Sequence, residues 1–391
     1  MSKNVFIVAT ARTPVGSLSG SLSSLSAPRL GALAIKAALQ RAGIAPEQVS
    51  EVYMGNVVSA GIGQAPAQQA SIYAGIPTSV PCTTVNKVCA SGMKAIMLGA
   101  QSILSAENDI VVAGGMESMS NIPYYLDNVR RGLRLGNGQL TDGILKDGLW
   151  DPYNNYHMGE AGELCNKEYK ITREAQDEYA NETYLRTAKA YEQGFFNKEL
   201  VPVEIAGKTP VTIFEDEEYK KGNFEKMKTL KSAFIKDGTI TAANASKIND
   251  GAAAVILVSE EKLKELGLKP LARIVSFADA SQSPEWFTTT PIKAMTKALQ
   301  KANLEVGDMD YVEINEAFSC VPMVNANEMG IPLNKVNVWG GAVSIGHPIG
   351  SSGARITVTL NAILHQHNGR YGMAGICNGG GGASAIILEK L

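Results

Sequence analysis

The chain has 391 residues, 45% of them hydrophobic and 19% charged, and its 36 Lys+Arg against 38 Asp+Glu give a net charge of -2. At roughly 100–200 residues per domain this length suggests two or three domains, and the composition excludes a disordered polyelectrolyte. No global field favours nucleic acid or an anionic membrane.

Five cysteines, Cys82, Cys89, Cys165, Cys320 and Cys377, are scattered without Cys-x-x-Cys spacing, which argues against a disulfide framework and a structural zinc site. No run approaches the roughly 20 apolar residues of a membrane span. Met1-Ser2-Lys3-Asn4 leads straight into the apolar Val5-Phe6-Ile7-Val8 and reads as leader-free; the end, Leu388-Glu389-Lys390-Leu391, is not a Ser-Lys-Leu address. Cytoplasm is the expected compartment.

In chain order, Val5–Ala9 reads as a buried strand, Arg29–Ala42 as a helix, Glu51–Val58 as a strand, Gly92–Leu104 as a helix and Ile110–Ala113 as a strand. This alternation predicts an α/β fold. The pattern then recurs. Ala38-Leu39-Gln40-Arg41-Ala42-Gly43-Ile44 before Glu51-Val52-Tyr53 resembles Ala298-Leu299-Gln300-Lys301-Ala302-Asn303-Leu304 before Tyr311-Val312-Glu313. Ser91-Gly92-Met93-Lys94 likewise parallels Ser352-Gly353-Ala354-Arg355. Their common order predicts two similar halves: residues 1–120 with about 240–272, and residues 273–391. Between them, 121–239 reads as an inserted subdomain covering the substrate, with a solvent-facing helix over Thr172–Gln193 capped by Thr172.

Four segments bear chemistry. Cys89 precedes a small, apolar helical stretch, where unpaired N–H groups and the helix dipole favour a thiolate; a small buried hydrophobe is the other reading. His347 lies in Gly340-Gly341-Ala342-Val343-Ser344-Ile345-Gly346-His347-Pro348, a rigid glycine-rich turn that presents an imidazole or holds one structurally. Cys377-Asn378-Gly379-Gly380-Gly381-Gly382 suits an oxyanion nest or a tight strand entry. Asn315-Glu316-Ala317-Phe318 closes the strand Tyr311–Ile314 and reads as a strand-end site or a cap. Neither a P-loop nor a dinucleotide fingerprint is present.

Together with Asn86-Lys87-Val88-Cys89-Ala90-Ser91-Gly92, these motifs resemble the thiolase family, and the likeness runs from Thr10-Ala11-Arg12-Thr13-Pro14 to the last strand. They are most similar to its short-chain biosynthetic branch of the eukaryotic cytosolic type. The resemblance implies a duplicated αβαβα layered fold and condensation of two acetyl-CoA to acetoacetyl-CoA plus CoA, without a redox cofactor. In that scheme Cys89 carries the acetyl group, His347 takes the thiol proton, and Cys377 removes the α-proton of the second acetyl-CoA. One oxyanion is held by the backbone N–H groups of Cys89 and Gly379, the other by His347 and a water on Asn315.

The resemblance also implies coenzyme A contacts at Tyr184, Lys226, Ser246, His157, Met158, Phe234, Ala317 and Phe318. It further implies a potassium site at Tyr184, Ala242, Ala243, Ala245 and Val343, and a homotetramer built as a dimer of dimers through 121–143. Alternatives are a degradative 3-ketoacyl-CoA thiolase, a non-catalytic acyl-CoA-binding protein, and a cysteine-dependent nicotinamide dehydrogenase, which the absent fingerprint disfavours.

Overall fold

The computed structural model describes residues 4–391; the leader-free reading of Met1-Ser2-Lys3 lies outside the described residues. One mixed sheet runs through the molecule, and its order is that of two copies joined at the middle. Outward from the centre, one copy runs Val5–Arg12, Asn249–Ser259, Ile110–Ser118, Glu51–Gly55 and Cys82–Val85. The other runs Ala272–Ser281, Gly382–Lys390, Tyr371–Asn378 and Tyr311–Ile314, ending in a parallel bridge from Val312 to Val336.

Within each copy the first two pairings are antiparallel and the next two parallel. Both copies carry a register shift in the same place, between Ile7 and Ala9 in one and between Ile274 and Ser276 in the other. The copies meet through a short antiparallel contact, Phe6 with Arg273 and Ile7 with Ala272.

Side-chain alternation along the strands sets the layers. Val111 and Ala113 face a central layer made by the helices Ser91–Leu104 and Ser352–Gln366, whereas Ile110 and Val112 face the outer helix Ala27–Ala42. In the second copy Met373 and Ile387 face the outer helix Thr290–Ala302. Three helical layers thus enclose two half-sheets, the predicted αβαβα arrangement. The two central helices approach through glycine. A Cβ on Gly92 would stand 2.8 Å from the Ala354 nitrogen, and one on Gly353 2.6 Å from the Met93 nitrogen.

Two local expectations change. The strand predicted over Glu51–Val58 stops at Gly55, because the N–H groups of Val57 and Val58 turn to the Glu117 carboxylate instead of a neighbouring strand. The helix Arg173–Glu192, capped by Thr172 as predicted, is not solvent-facing: Tyr179, Thr183, Tyr184 and Thr187 are buried. Its inner face is polar because it supplies hydrogen bonds to a buried carboxylate, Glu316. Residues 119–248 intervene between the strands Ile110–Ser118 and Asn249–Ser259 and hold this helix and Met158–Glu168. No helix among the described residues is long and apolar enough to cross a membrane.

Candidate active site

Cys89 sits on an elbow between the strand Cys82–Val85 and the helix Ser91–Leu104. Val88 adopts φ +47°, a left-handed conformation that strains a β-branched residue. Local hydrogen bonds hold it there. Asn86 Oδ1 accepts from the Val88 N–H at 3.0 Å, Ser91 Oγ accepts from the Lys87 N–H at 2.9 Å, and the Ser91 hydroxyl donates to the Val88 carbonyl at 2.6 Å. Lys87 then crosses to the second copy, donating to Asp279 at 2.6 Å, to Ser384 Oγ at 2.8 Å and to the Ala383 carbonyl at 2.9 Å.

Burial pushes the Cys89 thiol up to about 11, although the N–H groups of Gly379 and of Cys89 itself pull the other way. The expected helix-end stabilisation of a resting thiolate is therefore outweighed by desolvation. Those same two N–H groups are aimed at the Cys89 sulfur. Cys377 ends the other side of the cleft; burial raises its thiol well above the usual range, and the nearby Cys89 adds to the rise. The glycine run behind it turns at Gly380 and Gly381, φ +81° and +79°, which lets the Gly379 N–H face Cys89.

His347 is packed inside, only 5% exposed, rather than presented on an open turn. Its Nδ1 lies 2.6 Å from Ser352 Oγ, while the Ser352 hydroxyl donates to the Pro348 carbonyl at 3.0 Å. With that single hydroxyl proton committed, Ser352 accepts from Nδ1–H, and Nε2 is left as the basic lone pair. Nε2 is buried without a protein partner. Burial, helped by Arg355, lowers the imidazole to about 3, so it is neutral at pH 7. Its backbone N–H is fixed by Asn249 Oδ1 at 2.9 Å, and Gly346 takes φ +116° where a Cβ would meet the Asn249 side chain at 2.6 Å. Ile349, two residues on, packs against Val88 and Cys89, bringing this loop to the elbow.

Asn315 is buried with both side-chain polar atoms unpartnered, as expected of an amide that orders a water or a substrate oxygen. Next to it the Glu316 carboxylate accepts from Tyr179 at 2.9 Å, Thr183 at 3.0 Å, Asn337 at 2.9 Å and the Val343 N–H at 3.0 Å. Glu316 thereby locks the histidine loop to the strand end carrying Asn315. Sequence reasoning passed over Glu316, Ser352, Glu117 and Lys87 as functional supports. Glu316 and Lys87 lie within the motifs, Ser352 in the repeated Ser-Gly pair and Glu117 outside both, and in each case a buried polar role shows only when partners from distant segments meet.

Six of the expected coenzyme A residues, His157, Met158, Phe234, Ser246, Ala317 and Phe318, form one wall. His157 caps the helix Met158–Glu168, its Nδ1 accepting from the Gly159 N–H at 2.9 Å, and stacks on Phe234 with centroids 4.6 Å apart. Phe234 meets Phe318 edge-on at 5.8 Å. The Ser246 N–H donates to the Ala317 carbonyl at 3.0 Å, and Ala245 bridges to Phe318. Met158 Sδ lies 3.9 Å from a Cβ built on Gly379, so this wall reaches the thiols. Lys226 is exposed and lies apart from that wall, lining a cavity of ≈ 240 Å³ with Tyr184, Ala242 and Ala243.

The potassium expectation does not fit the residues present. The carbonyl oxygens of Ala245 and Val343 both accept hydrogen bonds from the Lys247 ammonium, at 2.6 and 3.3 Å, and the same nitrogen lies 5.9 Å from the centre of the Tyr184 ring. A bare cation placed among these groups would face a like charge already seated there.

Comparison with known proteins agrees with this geometry. Residues 5–261 match the thiolase N-terminal domain and residues 268–390 the thiolase C-terminal domain. The chain is 54% identical over 390 residues to the cytosolic acetyl-CoA acetyltransferase ERG10 of Gibberella zeae, covering 99% of this chain and 98% of that one. It is 56% identical over 393 residues to acetyl-CoA acetyltransferase 2 of Arabidopsis thaliana, covering 100% and 98%. The crystal structure of the Acat5 thiolase from Ascaris suum in complex with coenzyme A superposes with a TM-score of 0.95 at 46% identity, covering both chains fully. With two domain matches spanning nearly all its length and relatives more than half identical, the chain belongs to the thiolase family.

Proposed function

We propose that the chain is an acetyl-CoA C-acetyltransferase that joins two acetyl-CoA into acetoacetyl-CoA and CoA, reversibly, through an acetyl-cysteine. The observations that support this reading are a half-buried Cys89 thiol and a buried Cys377 thiol near enough for one to raise the other, two N–H groups aimed at Cys89, and the buried, unpartnered Nε2 of His347, whose loop shares an apolar cluster with Cys89 through Ile349.

Cys89 passes its proton to His347 Nε2 as its sulfur attacks the thioester carbon. This coupling matters because a thiol at about 11 leaves roughly one part in ten thousand ionised at pH 7. The N–H groups of Cys89 and Gly379 hold the oxyanion. Collapse expels the CoA sulfur, which takes the Cys377 proton and departs as the free thiol, leaving a Cys377 thiolate beside the His347 imidazolium. That thiolate takes the α-proton of a second acetyl-CoA, whose enolate oxygen accepts from His347 Nε2–H and from a water on Asn315. The carbanion attacks the acetyl-Cys89 carbon; the Cys89 sulfur leaves and regains its proton from His347.

The stacked rings of His157, Phe234 and Phe318 support a short acyl group over the longer substrates of a degradative thiolase. Coenzyme A contacts at Ser246, Met158, Ala317 and Phe318, with Tyr184 and Lys226 toward the nucleotide end, belong to the same proposal. So do a three-part division into 1–120 with 240–272, 121–239 and 273–391, a dimer-of-dimers tetramer, a cytoplasmic location and a role in supplying isoprenoid and sterol precursors.

The test separates the thiols. Mass spectrometry after mixing with acetyl-CoA should find the acetyl group on wild type and on Cys377→Ala, but not on Cys89→Ala, while neither variant makes acetoacetyl-CoA. Acetylation of Cys89→Ala would sink the assignment.

A further inference from the structure

Lys247 follows the Thr241–Ser246 loop, whose backbone faces the expected coenzyme A wall, and it is half-buried. A lysine side chain ordinarily runs out to water. Here it turns inward and donates to two carbonyls from different segments: Ala245, on its own loop, and Val343, on the loop that ends in His347. Tyr184 closes one side. Val343 is also the residue whose N–H donates to Glu316, so the two peptide units flanking its Cα are both gripped, one by a carboxylate on the N–H and the next by an ammonium on the carbonyl.

Two carboxylates stand near the ammonium. Burial outweighs the pull of Glu218 and Glu316, and with Lys221 adding to the fall Lys247 comes down to about 8, still mostly charged at pH 7. Glu218 is itself tied to the histidine loop. Its Oε1 accepts from Asn249 Nδ2 at 3.3 Å, and Asn249 Oδ1 holds the His347 N–H. Carbonyl oxygens, an aromatic ring and two nearby carboxylates form the environment in which a large monovalent cation is held. In this chain that cation is covalently attached.

We propose that Lys247 is a built-in monovalent cation, its ammonium filling the carbonyl cage between the Thr241–Ser246 loop and the Gly340–His347 loop and holding both in register for coenzyme A thioester binding. A tethered ammonium has no dissociation equilibrium, so the chain needs no alkali ion for this purpose. Lys247 is a positioning residue: it touches neither thiol, and its effect passes through the loops carrying Ser246 and His347. The inference rests on the acetyltransferase reading for its assay, and acetylation of Cys89 is the control that tells the two apart.

The experiment compares wild type, Lys247→Thr and Lys247→Met in KCl, NaCl and choline chloride at equal ionic strength. Wild type should show the same KM for acetyl-CoA and the same melting temperature in all three salts. Lys247→Thr opens the cage: its KM should rise about tenfold in NaCl with kcat changed by less than about threefold, the signature of lost binding and not of lost chemistry. KCl should restore that KM saturably, and should raise the melting temperature of this variant by about 2–4 °C over NaCl, as a ligand bound only to the folded state does. Lys247→Met keeps the bulk without the charge, and should show the raised KM without rescue by any salt.

Potassium-specific stimulation of wild type, a wild-type KM in Lys247→Met, or a Lys247→Thr whose KM and melting temperature ignore potassium would each overturn the proposal. If wild type fails to acetylate Cys89 at all, the acetyltransferase reading falls first.

Discussion

The two halves share strand order, pairing sense and even the position of a register shift, yet they carry different side chains at matching turns. Cys89 stands two residues before the central helix of the first half; the matching place before Ser352 is Gly350. That glycine is required, because a Cβ there would meet Glu117 Oε2 at 2.4 Å. Conversely, Cys377 lies near the end of the strand Tyr371–Asn378, where the first half has Met116 buried under the outer helix Ala27–Ala42. Each half therefore offers one thiol at a position its counterpart uses only for packing. A duplicated scaffold brings equivalent turns together about a common centre, and side-chain choice then divides the labour.

The electrostatics divide in the same way. Burial disfavours the thiolate at both cysteines, and the imidazole with a free Nε2 comes from the second half alone. The largest expected effect accordingly follows from His347→Ala, which should slow acetylation of Cys89 by about 10²–10⁴-fold, the usual range for removing a positioned base. The pH profile sharpens the point. With His347 neutral above about 3 and Cys89 a thiol below about 11, the acetylation rate of wild type should stay level between pH 5 and 9. A tenfold fall per unit below pH 6 would mean instead that the pair takes up a proton near pH 6, and that burial does not hold His347 at about 3.

A smaller effect tests the support behind that base. Ser352→Ala removes the acceptor for Nδ1–H and frees the ring to change tautomer. Loss of such an orienting partner typically costs about 10–100-fold. The loss should appear in kcat for acetylation with the KM for acetyl-CoA unchanged, since Ser352 faces the ring and not the coenzyme A wall. A purely structural role would lower the melting temperature and leave the per-site rate of the folded fraction intact.

The scaffold and the reacting groups were legible in the sequence for different reasons. Ser91-Gly92 and Ser352-Gly353 betrayed the duplication because close packing of two central helices demands small residues at the crossing. The short motifs around Cys89, Asn315, His347 and Cys377 were legible because glycine-rich turns restrict what can stand there. What escaped was everything that depends on partners far apart in the chain. Thr172–Gln193 looked solvent-facing since its inner residues are hydroxyls and tyrosines, and only the buried Glu316 explains them. The same reasoning hid Lys247: as one lysine among many in a polar stretch it carries no signal until its ammonium is seen between two carbonyls.

The smallest expected effect concerns the seam between the halves. Asp279 lies on the innermost strand of the second half and receives Lys87 at 2.6 Å and Lys94 at 2.7 Å, one from the Cys89 elbow and one from the helix behind it. Burial alone would raise this carboxyl, but the two lysines and Ser384 overcome it and bring it down to about 2. A folded value below the unfolded one means the carboxylate stabilises the protein fully above about pH 4, and that this contribution fades as the pH falls toward about 2. Because all three side chains retain solvent contact, the bridges are screened. Asp279→Asn should therefore cost only about 1 kcal/mol at pH 7 by denaturant titration, and less at pH 3. The more telling readout is chemical. Lys87 is the residue next to the strained Val88, so slackening its anchor should lower the acetylation rate of Cys89 while leaving thermal unfolding a single transition. If stability fell and acetylation did not, the elbow would be held by Asn86 and Ser91 alone, and the first half would position its thiol without help from the second.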